Sequence, residues 1–254
     1  MRSVTNIVTT VARAIDDVVR PVPFLSPKDA YRLWAPTYDD QSDNAILQLE
    51  EQTVLPIFDD VGLAGRSVID LGCGTGRHVR HILERGAKQI VGMDLSEEML
   101  SVARQRIRSP KVDFIQAEFR HIPVTDEQFD CAVASLALSH EEHLEGALQE
   151  FRRILKPGST LIITDLHWSF ESRGWKRTFK SKGPHGRPFA VRNITHDLPE
   201  YQKAYQRTMF SVEHQSEPVL DASLLPVFER TNMLKTYQRY VGEPLLATFR
   251  LRRL

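Results

Sequence analysis

Apolar residues fall along the central chain in two alternating rhythms. Short runs at 68–71, 89–94, 112–116, 129–135 and 160–165 are dominated by apolar residues, as strands covered on both faces of a sheet are. Between them the apolar positions recur at helical spacing. Val79, Ile82 and Leu83 form one such stripe, Met99, Leu100, Ala103 and Ile107 a second, and Leu144, Ala147, Leu148, Phe151, Ile154 and Leu155 a third. Strands alternating with helices predict an α/β fold built on a mostly parallel, doubly wound sheet. Gly86 stops the first helix, Ser96 caps the second, and Pro157-Gly158 makes a turn before the fifth strand.

The flanks add to this pattern. Val4, Ile7, Val8, Val11, Ile15 and Val18 predict an amphipathic helix over 4–19 that packs on its own domain, ended by Pro21 and Pro23. Its polar face lacks the Lys and Arg of a membrane-surface helix. Ser26 and Pro27 read as the N-cap and first residue of another helix, and residues 43–58 as a third. These helices set off a region at 1–60 from a main domain at 61–254. After the fifth strand, residues at about 170–196 read as an inserted β-hairpin with a turn at Gly183-Pro184-His185-Gly186. Residues 198–209 are expected to be helical, 210–217 the sixth strand and 245–251 the seventh.

A chain of 254 residues is long enough for one elaborated domain with a sizeable core. Lys plus Arg and Asp plus Glu number 33 each, so the formal net charge is zero. Nothing global steers it to nucleic acid or to an anionic membrane. Cys73 and Cys131 sit at apolar positions and read as reduced, buried residues. No apolar stretch is long enough to insert stably in a bilayer, and Arg13, Asp16 and Asp17 break any signal-peptide core, so a cytoplasmic location is expected.

The candidate chemistry gathers where the first strand ends. Val68-Ile69-Asp70-Leu71 runs into Gly72, Gly74 and Gly76 on alternate positions, and Arg77 follows. Glycines there let a ligand lie against the backbone at the carboxyl end of the sheet. A dinucleotide turn would read Gly-x-Gly-x-x-Gly, and its third glycine is missing. Asp94 ends the second strand 18 residues after Gly76. That is close to the spacing of an acid that accepts hydrogen bonds from ribose hydroxyls. No His, Cys and carboxylate cluster has metal-ligand spacing, so no metal is expected.

The Asp70-x-Gly72-x-Gly74-x-Gly76 pattern resembles the first motif of the class I S-adenosylmethionine-dependent methyltransferases. Trp34-Ala35-Pro36-Thr37-Tyr38-Asp39 and Arg152-Arg153-Ile154-Leu155-Lys156-Pro157-Gly158 are also similar to elements of that class, as in the ubiquinone- and biotin-pathway enzymes. The resemblance covers roughly residues 30–168. It implies a Rossmann-like seven-stranded sheet with an antiparallel last strand, an N-terminal helical lid, and S-adenosylmethionine as cofactor. It implies that Asp70, Gly72, Cys73, Gly74 and Gly76 form the cofactor turn and that Asp94 holds the ribose. Leu95 and Met99 would pack near the adenosine. Glu118, with Phe119 beside it, stands where the class often has Gly-Asp and would receive the adenine amino group. Tyr38 would lie near the methionine end, and Ser135 leaves the fourth strand where the reactive groups meet.

The implied reaction moves a methyl group to a small-molecule acceptor, with oxygen or carbon favoured. His140 and His167 follow the fourth and fifth strands and are the candidate general bases. Arg173, Lys176, Arg177, Lys180, Lys182, Arg187 and Arg192 fall in a segment without an acid, which suits an acidic acceptor or a solvated hairpin face. A noncatalytic adenosyl-binding regulator and, less well, a nicotinamide-dependent oxidoreductase are the other readings. The residues leave the acceptor and the oligomeric state open.

Overall fold

The computed structural model describes residues 22–40, 44–173, 178–180 and 188–254. The helix expected over 4–19, the turn at 183–186, and Lys176, Arg177, Lys182 and Arg187 lie outside the described residues. The central strands are β2 (Ser67–Leu71), β3 (Gln89–Asp94), β4 (Val112–Gln116), β5 (Phe129–Ser135), β6 (Leu155–Leu166), β9 (Phe210–Ser216) and β10 (Leu246–Arg253). They form one sheet in the order β4-β3-β2-β5-β6-β10-β9. β2 to β6 pair parallel, and β10 runs antiparallel to both its neighbours. The chain leaves β2 for β3 and β4 on one side, then crosses back to β5 on the other. That reversal opens a crevice at the strands' carboxyl ends.

The helices between these strands are α3 (Arg77–Glu84), α4 (Glu97–Arg106), α5 (Leu144–Ile154) and α7 (Leu198–Arg207). Each buries its apolar stripe on the sheet. One core joins Ile69, Leu71, Phe129 and Ile163 to Leu148 and Phe151 of α5 and Tyr201 of α7. The other joins Val68, Ile90, Cys131 and Val133 to Val79, Ile82 and Leu100. Helix α2 (Ala45–Val61) belongs to this second core through Val54, Phe58 and Val61. The boundary expected near residue 60 thus falls in the last turn of a helix that packs on the central sheet. Cys73 and Cys131 are buried free thiols.

A smaller sheet lies beside the main one. Its strands are β1 (Phe24–Leu25), β7 (Thr178–Lys180) and β8 (Pro188–Val191), in the order β1-β8-β7. β7 and β8 pair antiparallel as an insertion after β6 should, and β1 adds parallel to β8. Helix α1 (Pro27–Trp34) follows directly, with Ser26 accepting from the Asp29 N–H and Pro27 at its start. Trp34 is buried and stacks on Phe179 at 4.7 Å. The N-terminal segment and the insertion therefore share one small core.

Two features depart from the sequence reading. β6 begins at Leu155, five residues before the expected start, and contains Pro157 and Gly158. Between the pairs Phe129↔Leu155 and Cys131↔Thr160 it advances five residues against two on β5. The Pro-Gly turn is a bulge inside the strand, and Gly158 adopts φ +74°. Short helices α8 (Leu225–Arg230) and α9 (Leu234–Tyr240) also fill a stretch that carries no periodic signal. The tiny helix α6 (Ser169–Ser172) follows β6. No helix among the described residues is long and apolar enough to cross a membrane.

Candidate active site

The turn after β2 is built from both neighbouring strands. The N–H groups of Gly72 and Cys73 both donate to the Met93 carbonyl at 2.8 Å. Gly72 has φ +79°, and a Cβ there would stand 2.7 Å from the Ala137 Cβ. Gly74 donates its N–H to Asp94 Oδ2 at 2.8 Å, and Ser96 donates to Asp94 Oδ1 at 2.8 Å. Both Asp94 oxygens thus accept backbone protons, and the carboxylate's about four lone-pair sites leave room for a ligand. Burial pushes the Asp94 carboxyl up, and these N–H donors oppose it.

A cavity of about 400 Å³ opens over this turn. That volume is in the range of small-molecule and cofactor sites. Tyr38, Gly72, Gly74, Asp94, Leu95, Met99, Glu118, Phe119, Ser135 and His140 line it. A Cβ built on Gly74 meets no atom within 4 Å, so the backbone there is open to a ligand. Leu95 is an exposed apolar side chain at the cavity, and Phe119 is braced edge-on by Phe151 at 5.5 Å. Further wall comes from Lys28 and Tyr31 of α1, from Arg120, and from Arg192 after β8.

Asp70, Cys73, Gly76 and His167 are not brought to the cavity wall. Asp70 is buried under the turn, close to the start of α3, where the Val79 N–H acts on its carboxyl. The Cys73 thiol points into the core, 3.1 Å from where a Gly92 Cβ would stand. Gly76 is the N-cap of α3 with φ +87°, and a Cβ there would meet Ile107 Cδ1 at 2.7 Å. These three residues shape the turn from beneath. His167 lies beyond β6, with Nδ1 2.6 Å from Ser169 Oγ and its ring 4.0 Å from the Trp168 ring. It borders a separate small void with Asp165, His196 and Tyr201.

Under the turn sits a buried charge network. Glu50 of α2 is fully buried. Arg77 meets its carboxylate at 2.6 Å, and His78 Nε2 donates to it at 3.0 Å. Ser135 Oγ donates to it at 2.6 Å and Thr164 Oγ1 at 3.1 Å. Burial alone would raise the Glu50 carboxyl, but His78 and Arg77 outweigh it and hold the group far below the usual carboxylate range. Helix 43–58 was legible in the sequence, but nothing marked Glu50 as its inward acid. Tyr31 did leave a signal: the Ser26-Pro27 helix start puts Lys28 and Tyr31 one turn apart on one face.

Burial pushes the Asp70 carboxyl up to about 7; the Glu50 and Asp94 charges add to this, while Arg77 and the Val79 N–H oppose it. The folded protein therefore keeps a proton that the unfolded chain releases near pH 4. Asp70 contributes stability below that pH and loses it as pH rises through about 7. Urea titrations from pH 4 to 8 should show wild type losing stability relative to Asp70→Asn, on the order of 1 kcal/mol per pH unit at the steepest. A constant difference across that range would refute the raised Asp70.

Residues 69–163 match the family described as methyltransferase domain. Over these residues the chain carries a methyltransferase domain. It is 29% identical over 169 residues to the demethylmenaquinone methyltransferase of Porphyromonas gingivalis, covering 63% of this chain and 67% of that protein. It is 35% identical over 108 residues to the ubiquinone/menaquinone biosynthesis C-methyltransferase of Pseudomonas fluorescens, covering 40% of this chain and 42% of that one. The matched region thus spans between about two-fifths and two-thirds of these relatives. The structure of an S-adenosylmethionine dependent methyltransferase from Mesorhizobium loti superposes with a TM-score of 0.62 at 22% identity, over 80% of this chain and 98% of that one. That likeness speaks for the fold. The match ends within β6, so α7 to β10 and the strands β7 and β8 lie outside the matched residues.

Proposed function

We propose that the protein transfers a methyl group from S-adenosylmethionine to a small-molecule acceptor, at oxygen or carbon. The observation that carries this is the convergence of the Gly72–Gly74 turn and Asp94 on one cavity that also holds Tyr31, Tyr38 and His140. The open backbone at Gly74 fits a cofactor lying against it. In this reading Asp94 holds the ribose hydroxyls, Leu95 and Met99 flank the adenine, and Glu118 receives its amino group. Ser135 and Tyr38 border the methionine end. Bound S-adenosylmethionine would supply a methyl group already activated by its sulfonium. The chain's own task is then to align the acceptor and exclude water, and alignment is worth up to about 7–11 kcal/mol. Helix α1 and the small sheet would act as the cover. Of the two candidate bases, His140 is the one supported by its place at the cavity.

The acceptor is proposed to carry an acidic group. Lys28 and Arg192 are exposed cations on the cavity wall, whereas Arg120 stands 3.6 Å from Glu141. Arg173 of the same basic segment is engaged elsewhere, donating to the Pro244 carbonyl at 2.9 Å. Replacing Lys28 and Arg192 together by Gln should raise the Michaelis constant of a carboxylated acceptor by about 2- to 30-fold, from about 0.2–1 kcal/mol per exposed charge pair. Cofactor affinity should stay unchanged, and an unaltered Michaelis constant would contradict the acidic acceptor. For the cofactor itself, calorimetric titration should show S-adenosylmethionine binding and no binding of a nicotinamide dinucleotide. Tighter binding of the dinucleotide would overturn the methyl-transfer reading.

A further inference from the structure

Three distant segments meet at one point on the cavity wall: Tyr31 in α1, His140 after β5, and the Arg192 backbone after β8. Tyr31 Oη lies 2.8 Å from His140 Nε2, and His140 Nδ1 lies 3.3 Å from the Arg192 carbonyl oxygen. We propose, resting on the methyl-transfer reading above, that Tyr31 is the residue that touches the acceptor, and that its phenol passes the acceptor's proton on to His140.

The hydrogen bonds set the direction of this path. A carbonyl oxygen only accepts, so His140 Nδ1 carries the ring proton in the neutral form. Nε2 then bears the bare lone pair and accepts from the Tyr31 O–H. A phenolic oxygen can accept one proton while it gives up another, so a proton arriving at Tyr31 leaves for Nε2. His140 used alone would have its basic nitrogen already covered by Tyr31.

The pair is held in place rather than merely adjacent. The Tyr31 ring lies parallel to Trp34 at 6.0 Å and packs edge-on against His140 at 5.3 Å and against Tyr38 at 6.2 Å. Trp34 is in turn fixed on Phe179 of the small sheet. Both partners thus come preset for proton transfer, as an efficient general base requires.

The acceptor's O–H bond breaks and its oxygen electron pair forms the bond to the methyl carbon. The carbon–sulfur pair returns to sulfur, which becomes a neutral thioether. The acceptor proton goes to Tyr31 Oη as the Tyr31 proton goes to His140 Nε2. The positive charge that began on sulfur ends on the His140 ring, where the Arg192 carbonyl accepts from Nδ1–H.

Two measurements test the pair. In protein labelled with ¹⁵N in its histidine rings, long-range proton–nitrogen spectra should show His140 protonated at Nδ1 and bare at Nε2. Tyr31→Phe should shift the Nε2 resonance. A ring protonated at Nε2 overturns the proposal whether or not any acceptor is turned over. The second measurement uses S-adenosylmethionine with a deuterated methyl group against a set of phenols and a set of carboxylates. Tyr31→Phe and His140→Ala should each lower kcat on a phenol by about 10²–10⁴-fold. Transfer to a carboxylate, which has no proton to lose at neutral pH, should change by no more than a few fold. S-adenosylhomocysteine affinity should be unchanged in both variants. Equal losses on both acceptor classes, an unchanged phenol rate, or a wild type that methylates carboxylates alone would reduce the pair to a latch between cover and domain. A protein that binds no S-adenosylhomocysteine instead fails the methyl-transfer reading, and the imidazole spectrum still decides the pair.

Discussion

Glu50→Ala is expected to lower folding stability by about 3–5 kcal/mol, the cost of leaving a buried charge without its partner. Arg77 is the charge left behind, and His78, Ser135 and Thr164 lose their common acceptor. For a chain of this size that loss lowers the melting temperature by about 10 °C. The carboxylate stands over the carboxyl ends of β5 and β6 and beside the first turn of α3, so it ties α2 to the elements that carry the glycine turn. A negative charge near that helix start is favoured in its own right. The pH dependence has a definite sign. Glu50 is held well below its ordinary range, so its contribution is present above about pH 4.5 and lost as pH falls. Glu50→Gln, which keeps the size of the side chain, should therefore show a flatter decline in acid than wild type. Thermal unfolding of both variants from pH 3 to 7 checks this. A Glu50→Ala protein within about 1 kcal/mol of wild type would mean that the network carries no net stability.

Asp94→Ala is expected to weaken S-adenosylmethionine binding by roughly 1–3 kcal/mol, about five- to 150-fold, because two ribose hydroxyls lose a charged acceptor. It also strips the Gly74 and Ser96 N–H groups of their acceptor, so the turn loosens with it. Asp94→Asn, which keeps one acceptor oxygen, should fall between the alanine variant and wild type. Calorimetry on variants with wild-type circular dichroism separates the two effects. Unchanged affinity in a folded Asp94→Ala protein would remove Asp94 from the cofactor site.

The part of the cavity wall carried by the sheet was legible in the sequence, for a simple reason. β2, β3 and β5 are short strands under cover, so each shows as an apolar run, and residues at or just past their ends line the cavity. Gly72, Gly74, Asp94 and Ser135, which line the cavity, stand at or just past such strand ends, whereas Met99, also on its wall, was expected only from the family resemblance. The turn's support was harder to separate from its ligand-facing side. Asp70, Cys73 and Gly76 share the motif but point down into α3 and the core, and strand spacing does not distinguish the two directions.

What the sequence hid are the pairings between distant segments. Tyr31 and His140 are 109 positions apart, and Glu50 and Thr164 are 114 apart. Neither member of these pairs breaks the local pattern of its own element. The two-residue strand β1 is too short to show a period, and it exists because β8 offers it an edge. Helices α8 and α9 take their place from packing: Val227 and Phe228 join Leu49, Leu136 and Leu246 in a third core. Tertiary contact, not propensity, shapes these stretches.

The central claim, that this cavity moves a methyl group, is tested most directly by following the methyl itself. The protein is incubated with S-adenosylmethionine carrying a deuterated methyl group and with a small-molecule cell extract, and both products are measured by mass spectrometry. The account predicts a small molecule heavier by one deuterated methyl group, formed in step with S-adenosylhomocysteine, and formed more slowly by Asp94→Ala at S-adenosylmethionine concentrations below saturation. Binding of S-adenosylmethionine with no label in any acceptor from extracts of varied source would contradict it and leave an adenosyl-binding protein without turnover.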